Sequence, residues 1–207
     1  MKRMMVGVLG TLMICTGLAF TAKAAEETGK TTLDNLQAAY NGESNAKTRY
    51  EAFAAKADEE GYKSVAALFR AASKSESIHA TKHAAVIKKL GAEPKATIEK
   101  AEVKSTKENL EAAIKGETHE KDTMYPAFIK QAEAEKNSGA VLSFKGAMLA
   151  EVEHAKLYSQ ALKELDAWKA AGKEFLVCIV CGYTTMDMGI KICPVCSSPR
   201  SKFDTVK

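Results

Sequence analysis

Glutamate and histidine recur in this sequence at a spacing that could bind metal ions. Glu76 and His79, and again Glu151 and His154, are three positions apart and therefore share one face of a helix. Both pairs fall among apolar residues that would point into a core. A buried carboxylate without compensation is costly or shifts its pKa until it is neutral. We therefore expect cations beside these residues.

Two further glutamates complete the pattern. Glu43 lies on an apolar helical stripe between Tyr40 and Tyr50, and Glu117 lies on a similar stripe. Each half of the sequence thus supplies one Glu from its first helix and a Glu-x-x-His pair from its second, which is the ligand pattern of di-iron carboxylate bundles. Carboxylate and imidazole together suit iron or manganese. The predicted ligands are Glu43, Glu76, His79, Glu117, Glu151 and His154.

Glu120 is predicted as a further ligand and a catalytic residue. It follows Glu117 by three positions and faces the same way, whereas the matching position in the first half is Ala46. Five carboxylates carry a charge of −5, which two ferrous ions bring to −1 and two ferric ions bring to +1. The site could therefore cycle by two electrons. The alternative is that Glu120 is solvated. His83 is expected in the core or at its rim, with support of the ligands as the alternative, and His119 is expected to be exposed.

The cysteines form a second candidate metal site. Cys178 and Cys181, then Cys193 and Cys196, make two C-x2-C pairs separated by eleven residues, and Gly182 follows the first pair. This spacing favours a tetrathiolate metal site over disulfides. It does not distinguish iron, which would transfer single electrons, from zinc, which would be structural.

An internal repeat organises the helical part of the chain. The segment that begins at Asn35 recurs 74 positions later at Asn109, and beyond it Tyr50 and His79 match Tyr125 and His154 at an offset of 75. The second repeat therefore contains one extra residue, which we place around Pro126. Apolar spacing predicts helices over 33–60, 64–90, 105–136 and 139–170, the third starting at a Ser105/Glu108 capping box.

The fold class follows from these elements. Tight turns make two antiparallel hairpins, and residues 91–104 are long enough to cross the bundle. The prediction is a mainly α protein: a ferritin-like four-helix bundle with a long crossover over 31–170, and a small metal-ribbon domain over 173–207.

The N-terminus is typical of an export signal. Lys2 and Arg3 precede an apolar run from Met4 to Phe20, and Ala22, Lys23 and Ala24 form a small-x-small cleavage site. We expect a signal peptide over 1–24 and a periplasmic mature protein without a membrane span; a retained anchor is the alternative. Without the leader the formal charge falls from +4 to +1, with lysines and glutamates interspersed, so no nucleic-acid partner is expected.

The chain resembles the rubrerythrins. The resemblance rests on the segment from Asn35 to Glu43, on Glu117, Glu120 and Tyr125, on Glu151 to His154, and on the cysteine pairs. It implies a di-iron bundle fused to a rubredoxin-like Fe(Cys)4 domain that reduces hydrogen peroxide to water in oxidative stress defence. It also implies that Tyr50 and Tyr125 lie near the irons as catalytic residues that could hydrogen-bond the ligand carboxylates. A homodimer would pair one subunit's rubredoxin domain with the other's di-iron site. The electron donor is not identified.

The sequence is also compatible with two other functions. One is a ferritin-like ferroxidase or iron-storage protein, which should tolerate loss of Glu120. The other is a binding protein whose cysteines hold zinc and do no redox chemistry.

Overall fold

The computed structural model describes residues 31–170 and 172–207, and the predicted signal peptide lies outside these ranges. The described chain is mainly helical, as predicted, with a small sheet at its C-terminal end. Among the described residues, no helix is long and apolar enough to cross a membrane. The helices are α1 (Thr32–Glu59), α2 (Lys63–Lys89), α3 (Thr106–His119), α4 (Tyr125–Ala134) and α5 (Ser138–Lys163).

Local sequence signals set the helix starts and the first turn. The Thr31 side chain accepts from the Asp34 amide while the Asp34 carboxylate accepts from the Thr31 amide, which makes a capping box at α1. The predicted capping box of Ser105 and Glu108 opens α3 in the same way. Gly61, at φ +83°, provides the left-handed residue between α1 and α2. These features hold α1 and α2 as an antiparallel hairpin.

The third helix of the bundle contains a π-helical turn. This turn, Glu120–Met124, joins α3 to α4 without a break. A π turn accommodates one more residue than the α-helix it interrupts, and Pro126 has no N–H to continue the α pattern back into it. The residue gained between the two repeats is therefore absorbed at 120–124, slightly before the predicted place at Pro126.

The fourth helix ends earlier than predicted. It stops at Lys163 rather than near Ala170, and a 3-10 turn follows at Leu165–Trp168. The reason is tertiary: Trp168 is fully buried and its ring centre lies 6.1 Å from that of Phe175 in the first strand. Turning the chain here places Trp168 in the core, which a continued helix would not do.

The crossover after α2 is held by amide side chains of α1. Gln37, Asn41 and Asn45 lie four residues apart and each bonds the crossover backbone. Gln37 accepts from the Lys95 amide at 3.0 Å, and Asn41 accepts from the Thr97 amide at 2.8 Å. These three side chains supply hydrogen-bond partners to the backbone of a segment that has neither helix nor strand of its own.

The C-terminal domain is a three-stranded antiparallel sheet. Strands β1 (Phe175–Cys178), β2 (Thr184–Thr185) and β3 (Phe203–Val206) are arranged in the order β2-β1-β3. Leu176 pairs with Thr185 on one side and with Thr205 on the other. The β1 strand also packs on α2, which brings the sheet against the helical bundle.

Candidate metal centres

Two overlapping groups of ligand atoms occupy the interior of the bundle. The first contains Glu43, Glu76, His79 and Glu151, and the second contains Glu76, Glu117, Glu151 and His154; within each group the ligand atoms all lie within 4.8 Å of one another. Glu76 and Glu151 belong to both groups. Six of the seven predicted bundle ligands are brought together, all but Glu120, and each of the six is at most 2% exposed.

The two groups have the same geometry. In the first, His79 Nδ1 lies 2.9 Å from a Glu76 oxygen and 2.9 Å from a Glu151 oxygen. In the second, His154 Nδ1 lies 2.7 Å from Glu151 and 3.2 Å from Glu76. The repeat seen in the sequence thus becomes two groups of the same kind, each of which could hold one metal ion. Glu76 and Glu151 belong to both groups and would be shared by the two ions.

The donor set fits a pair of cations. Both oxygens of Glu151, and one oxygen each of Glu43, Glu76 and Glu117, have no hydrogen-bond partner among the described residues. Buried carboxylate oxygens are rarely left without a partner. Two divalent or trivalent ions would satisfy these oxygens and offset four buried negative charges, so the residues fit a di-iron centre.

Two tyrosines hold the outer glutamates, as the resemblance implies. The Tyr50 hydroxyl donates to Glu117, and the Tyr125 hydroxyl donates to Glu43. Each tyrosine therefore reaches across the bundle to the glutamate of the other repeat. Both rings are at most 1% exposed, so the bonds are shielded from water and fix the orientation of each carboxylate.

In the metal-free cluster, burial and mutual repulsion dominate the ionisation of the ligands. Burial, and then the charge of Glu120, raise the pKa of Glu43 well above its usual range. Burial, and then the charge of Glu151, raise the pKa of Glu117 in the same way. Burial disfavours the charged form of both imidazoles, but nearby carboxylates outweigh it. The charge of Glu151 raises the pKa of His79, and the charge of Glu76 raises the pKa of His154. The two histidines in turn overcome the burial of Glu151 and lower its pKa.

These directions predict how pH changes the stability of the chelated protein. A carboxyl or imidazole whose pKa is raised on folding stabilises the fold at low pH and loses that contribution as pH rises through its folded-state pKa. Glu151, with its lowered pKa, acts oppositely but only below about pH 4.5. We expect the free energy of unfolding of metal-free protein to fall by about 2 kcal/mol or more between about pH 5 and 9.

Urea unfolding followed by circular dichroism checks this expectation. The metal-loaded protein is the control and should lack the fall, because coordinated ligands do not titrate there. Chelated protein whose stability rises or stays constant over the same range would show that the cluster carries less buried charge than described.

Glu120 lies beside the two groups rather than within them. It opens the π turn and is half-buried. Burial first, then the carboxylates of Glu151 and Glu76, raise the pKa of Glu120 to about 8. Glu120 is therefore partly shielded from solvent, and its role as a ligand stays a prediction.

The remaining histidines lie where the sequence suggested. His119 is exposed, as expected. His83 is fully buried and bonds Tyr125 and Ser143, so it combines the core position with the supporting role that was the alternative. Ser143 was not singled out in the sequence, where a serine on a helix carries no signal of its own.

The four cysteines form the predicted tetrathiolate group. Their Sγ atoms lie within 4.8 Å of one another. The Cys178 and Cys196 sulfurs are 3.6 Å apart and those of Cys181 and Cys193 are 3.5 Å apart, well beyond the ~2.05 Å of a disulfide. Gly182 at φ +86° and Ser197 at φ +58° turn the chain after each pair. The arrangement fits one iron or zinc ion.

The cysteine domain touches both histidines of the bundle site. His79 Nε2 lies 3.1 Å from the carbonyl oxygen of Cys181, and His154 Nε2 lies 3.1 Å from the Thr184 hydroxyl. Since Nε2 donates in each ring, Nδ1 is left free to bind metal in the neutral tautomer. The Ser75 hydroxyl also donates to the Gly182 carbonyl at 2.6 Å. These contacts lie within one chain, whereas the resemblance implies that they form between two subunits; the homodimer itself stays a prediction.

Gly182 is required for this close contact. A Cβ at this position would overlap His79 Nε2 and lie 2.6 Å from Ser75 Oγ, and the backbone has a positive φ. We expect Gly182→Ala to push the cysteine domain off His79 and to slow electron transfer between the two centres by about 10-fold or more. Rapid-mixing spectroscopy of the Fe(Cys)4 band measures this rate.

Gly189→Ala is the matched control, because a Cβ there meets only the flexible side chain of Asp187, at 3.3 Å. It should transfer electrons at the wild-type rate. The rates of the two variants can be compared only if the Fe(Cys)4 absorption bands of Gly182→Ala, oxidised and reduced, are the same as in the wild type. An unchanged rate in that variant would show that the contact at Gly182 does not limit transfer.

Comparisons with known proteins agree with both centres. The family model described as rubrerythrin matches residues 34–162, and the one described as the rubredoxin-like domain of rubrerythrin matches residues 177–204. Nigerythrin of Nitratidesulfovibrio vulgaris is 39% identical over 175 residues, which cover 83% of this chain and 85% of nigerythrin. A putative rubrerythrin of Methanocaldococcus jannaschii is 34% identical over 188 residues, 84% of this chain and 92% of that protein.

Solved structures show the same likeness. Fully reduced, all-ferrous nigerythrin superposes with a TM-score of 0.80 at 34% identity, covering 98% of this chain and 100% of that one. A bacterioferritin of Mycobacterium tuberculosis reaches a TM-score of 0.60 at 21% identity over 66% of this chain and 86% of its own. At this identity the second likeness shows the fold alone.

Proposed function

Since the chain belongs to the rubrerythrin family, whose members are oxidoreductases, and carries a di-iron carboxylate site and a four-cysteine rubredoxin-like site, we propose that it is a peroxidase that reduces hydrogen peroxide to water. Each turnover takes two electrons and two protons per peroxide and yields two waters. The electrons would enter through the Fe(Cys)4 centre from a donor protein.

The observation that carries this proposal is the contact between the two centres. Cys181, a predicted iron ligand, accepts a hydrogen bond through its carbonyl from His79, a predicted ligand of the iron pair. A storage protein or a zinc-ribbon binding protein has no need of such a link. A short covalent and hydrogen-bonded path is what single-electron delivery from one centre to the other requires.

The chain's own residues supply the rest of the chemistry. When bound, the iron pair gives the two electrons that break the O–O bond. Burial of the six bundle ligands excludes bulk water, and Tyr50 and Tyr125 keep the outer carboxylates oriented. Glu120, half-buried beside the cluster, would pass a proton to the departing oxygen when it is not bound to iron.

Peroxide consumption by the iron-loaded protein under anaerobic conditions tests the proposal. With a chemical reductant in excess, we expect one peroxide consumed per two electrons, and a lower rate at saturating peroxide in Glu120→Gln with its iron retained. Glu111→Gln, an exposed position earlier on α3, is the control. Reaction only with oxygen and ferrous iron, with continued iron uptake and no loss in Glu120→Gln, would favour the ferroxidase instead.

We also propose that the protein acts outside the cytoplasm as a homodimer. The leader pattern at 1–24 supports export, and a donor of the exported compartment would then be needed. Cell fractionation and sedimentation of the mature protein test the two statements separately.

A further inference from the structure

His83 is joined to the di-iron site by a chain of hydrogen bonds. Its Nε2 lies 3.2 Å from the Tyr125 hydroxyl and its Nδ1 lies 2.8 Å from the Ser143 hydroxyl. Tyr125 in turn donates to Glu43. The ring is 0% exposed. The chain thus connects α5 to a predicted ligand carboxylate through α2 and the tyrosine that opens α4.

The directions of these bonds follow from the chemistry of their ends. A metal-bound carboxylate has no proton to donate, so Tyr125 donates to Glu43 and its oxygen is free to accept. His83 must then carry its proton on Nε2 and donate to Tyr125, while Nδ1 accepts from Ser143. The His83 ring is fully buried and both of its hydrogen bonds go to hydroxyl groups rather than to a carboxylate, so the ring is neutral.

The internal repeat shows that packing does not require histidine here. At the offset of 75, His83 corresponds to Tyr158 and Ser143 corresponds to Leu68. Tyr158 is also fully buried, and its hydroxyl has no hydrogen-bond partner among the described residues. An aromatic ring and an aliphatic side chain therefore fill the same places in the other half. The polar pair of His83 and Ser143 is therefore not needed for packing, and its role is to support the hydrogen bond of Tyr125.

We propose that His83 is a positioning residue that holds Tyr125 as a hydrogen-bond donor to Glu43 and thereby tunes the metal position at Glu43. A donor to the phenol oxygen strengthens the bond that the phenol gives. A stronger bond to Glu43 draws electron density from that carboxylate, which stabilises ferrous iron relative to ferric iron there. The inference concerns the di-iron site and does not depend on peroxide being the substrate.

A redox titration of the iron-loaded protein, with the mixed-valent state followed by electron paramagnetic resonance, tests the inference. His83→Leu should lower the reduction potential of the iron pair and change the mixed-valent signal. His83→Gln, whose amide nitrogen can reach the place of Nε2, should restore both. Tyr158→Phe, which removes the hydroxyl at the repeat-related position, is the matched control and should leave both unchanged.

The role of Tyr125 is separated by repeating His83→Leu in a Tyr125→Phe background. There the histidine has no hydroxyl to hold, so no further shift is expected. A shift of equal size with and without the Tyr125 hydroxyl, or no shift in the wild-type background, would overturn the proposal. If His83→Leu does not fold, Ser143→Ala replaces it: a smaller shift in the same direction is expected, and an opposite shift would contradict the account.

Discussion

Cys178→Ser is expected to abolish turnover with an external electron donor while leaving the bundle chemistry intact. Steady-state peroxide reduction should fall by at least about 100-fold, because the tetrathiolate iron site no longer forms. A pre-reduced iron pair should still react with one equivalent of peroxide at the wild-type rate. Cys178 is chosen because the contact with His79 comes from the backbone carbonyl of Cys181, an atom that the substitution does not remove.

The measurement combines a steady-state assay with a single-turnover reaction of the pre-reduced protein. Ser201→Ala, an exposed position in the same domain, is the control and should behave as wild type in both. Loss of the single-turnover reaction in Cys178→Ser would contradict the division of labour between the two centres. Full steady-state activity would show that electrons reach the iron pair by another route.

Glu151→Gln is expected to remove both irons of the bundle. Glu151 is fully buried and belongs to both groups of ligand atoms, so its loss affects both metal positions. The affinity of the bundle site for iron should fall by more than the 10- to 100-fold typical when a residue that hydrogen-bonds to a ligand is lost. The iron content should drop from about three to about one per chain. Metal analysis after desalting measures this directly.

Glu153→Gln is the matched control for that variant. Glu153 lies two residues away on the same helix, and its carboxylate pairs with Lys156 at 3.0 Å instead of facing the cluster. It should retain about three irons per chain. If Glu151→Gln also kept all its iron, Glu151 would not be the bridging ligand that the geometry indicates.

Helical periodicity and the repeat made the bundle site predictable. Charged residues such as Glu43 on an apolar stripe have few physical explanations, and the second copy at Glu117 reduces them further. Because residues three apart share a helix face, the sequence also placed each Glu-x-x-His pair correctly. The cysteine pairs were equally informative, since their spacing is local.

Features that depend on distant contacts were not predictable. Trp168 ends the fourth helix by packing on Phe175, and nothing near Lys163 in sequence signals this. The contact of Cys181 with His79 joins residues 102 positions apart. The pairing of His83 with Ser143 likewise needs two helices to be packed first. In each case, packing decided what local propensity left open.

The visible spectrum and metal content of the protein, reconstituted with iron under anaerobic conditions, test the central claim most directly. The sample is reduced with dithionite and then given stoichiometric peroxide. The account predicts about three irons per chain and a red thiolate-to-iron band that bleaches on reduction and returns with peroxide. A colourless protein with zinc on its cysteines, or a band that peroxide does not restore, would contradict it.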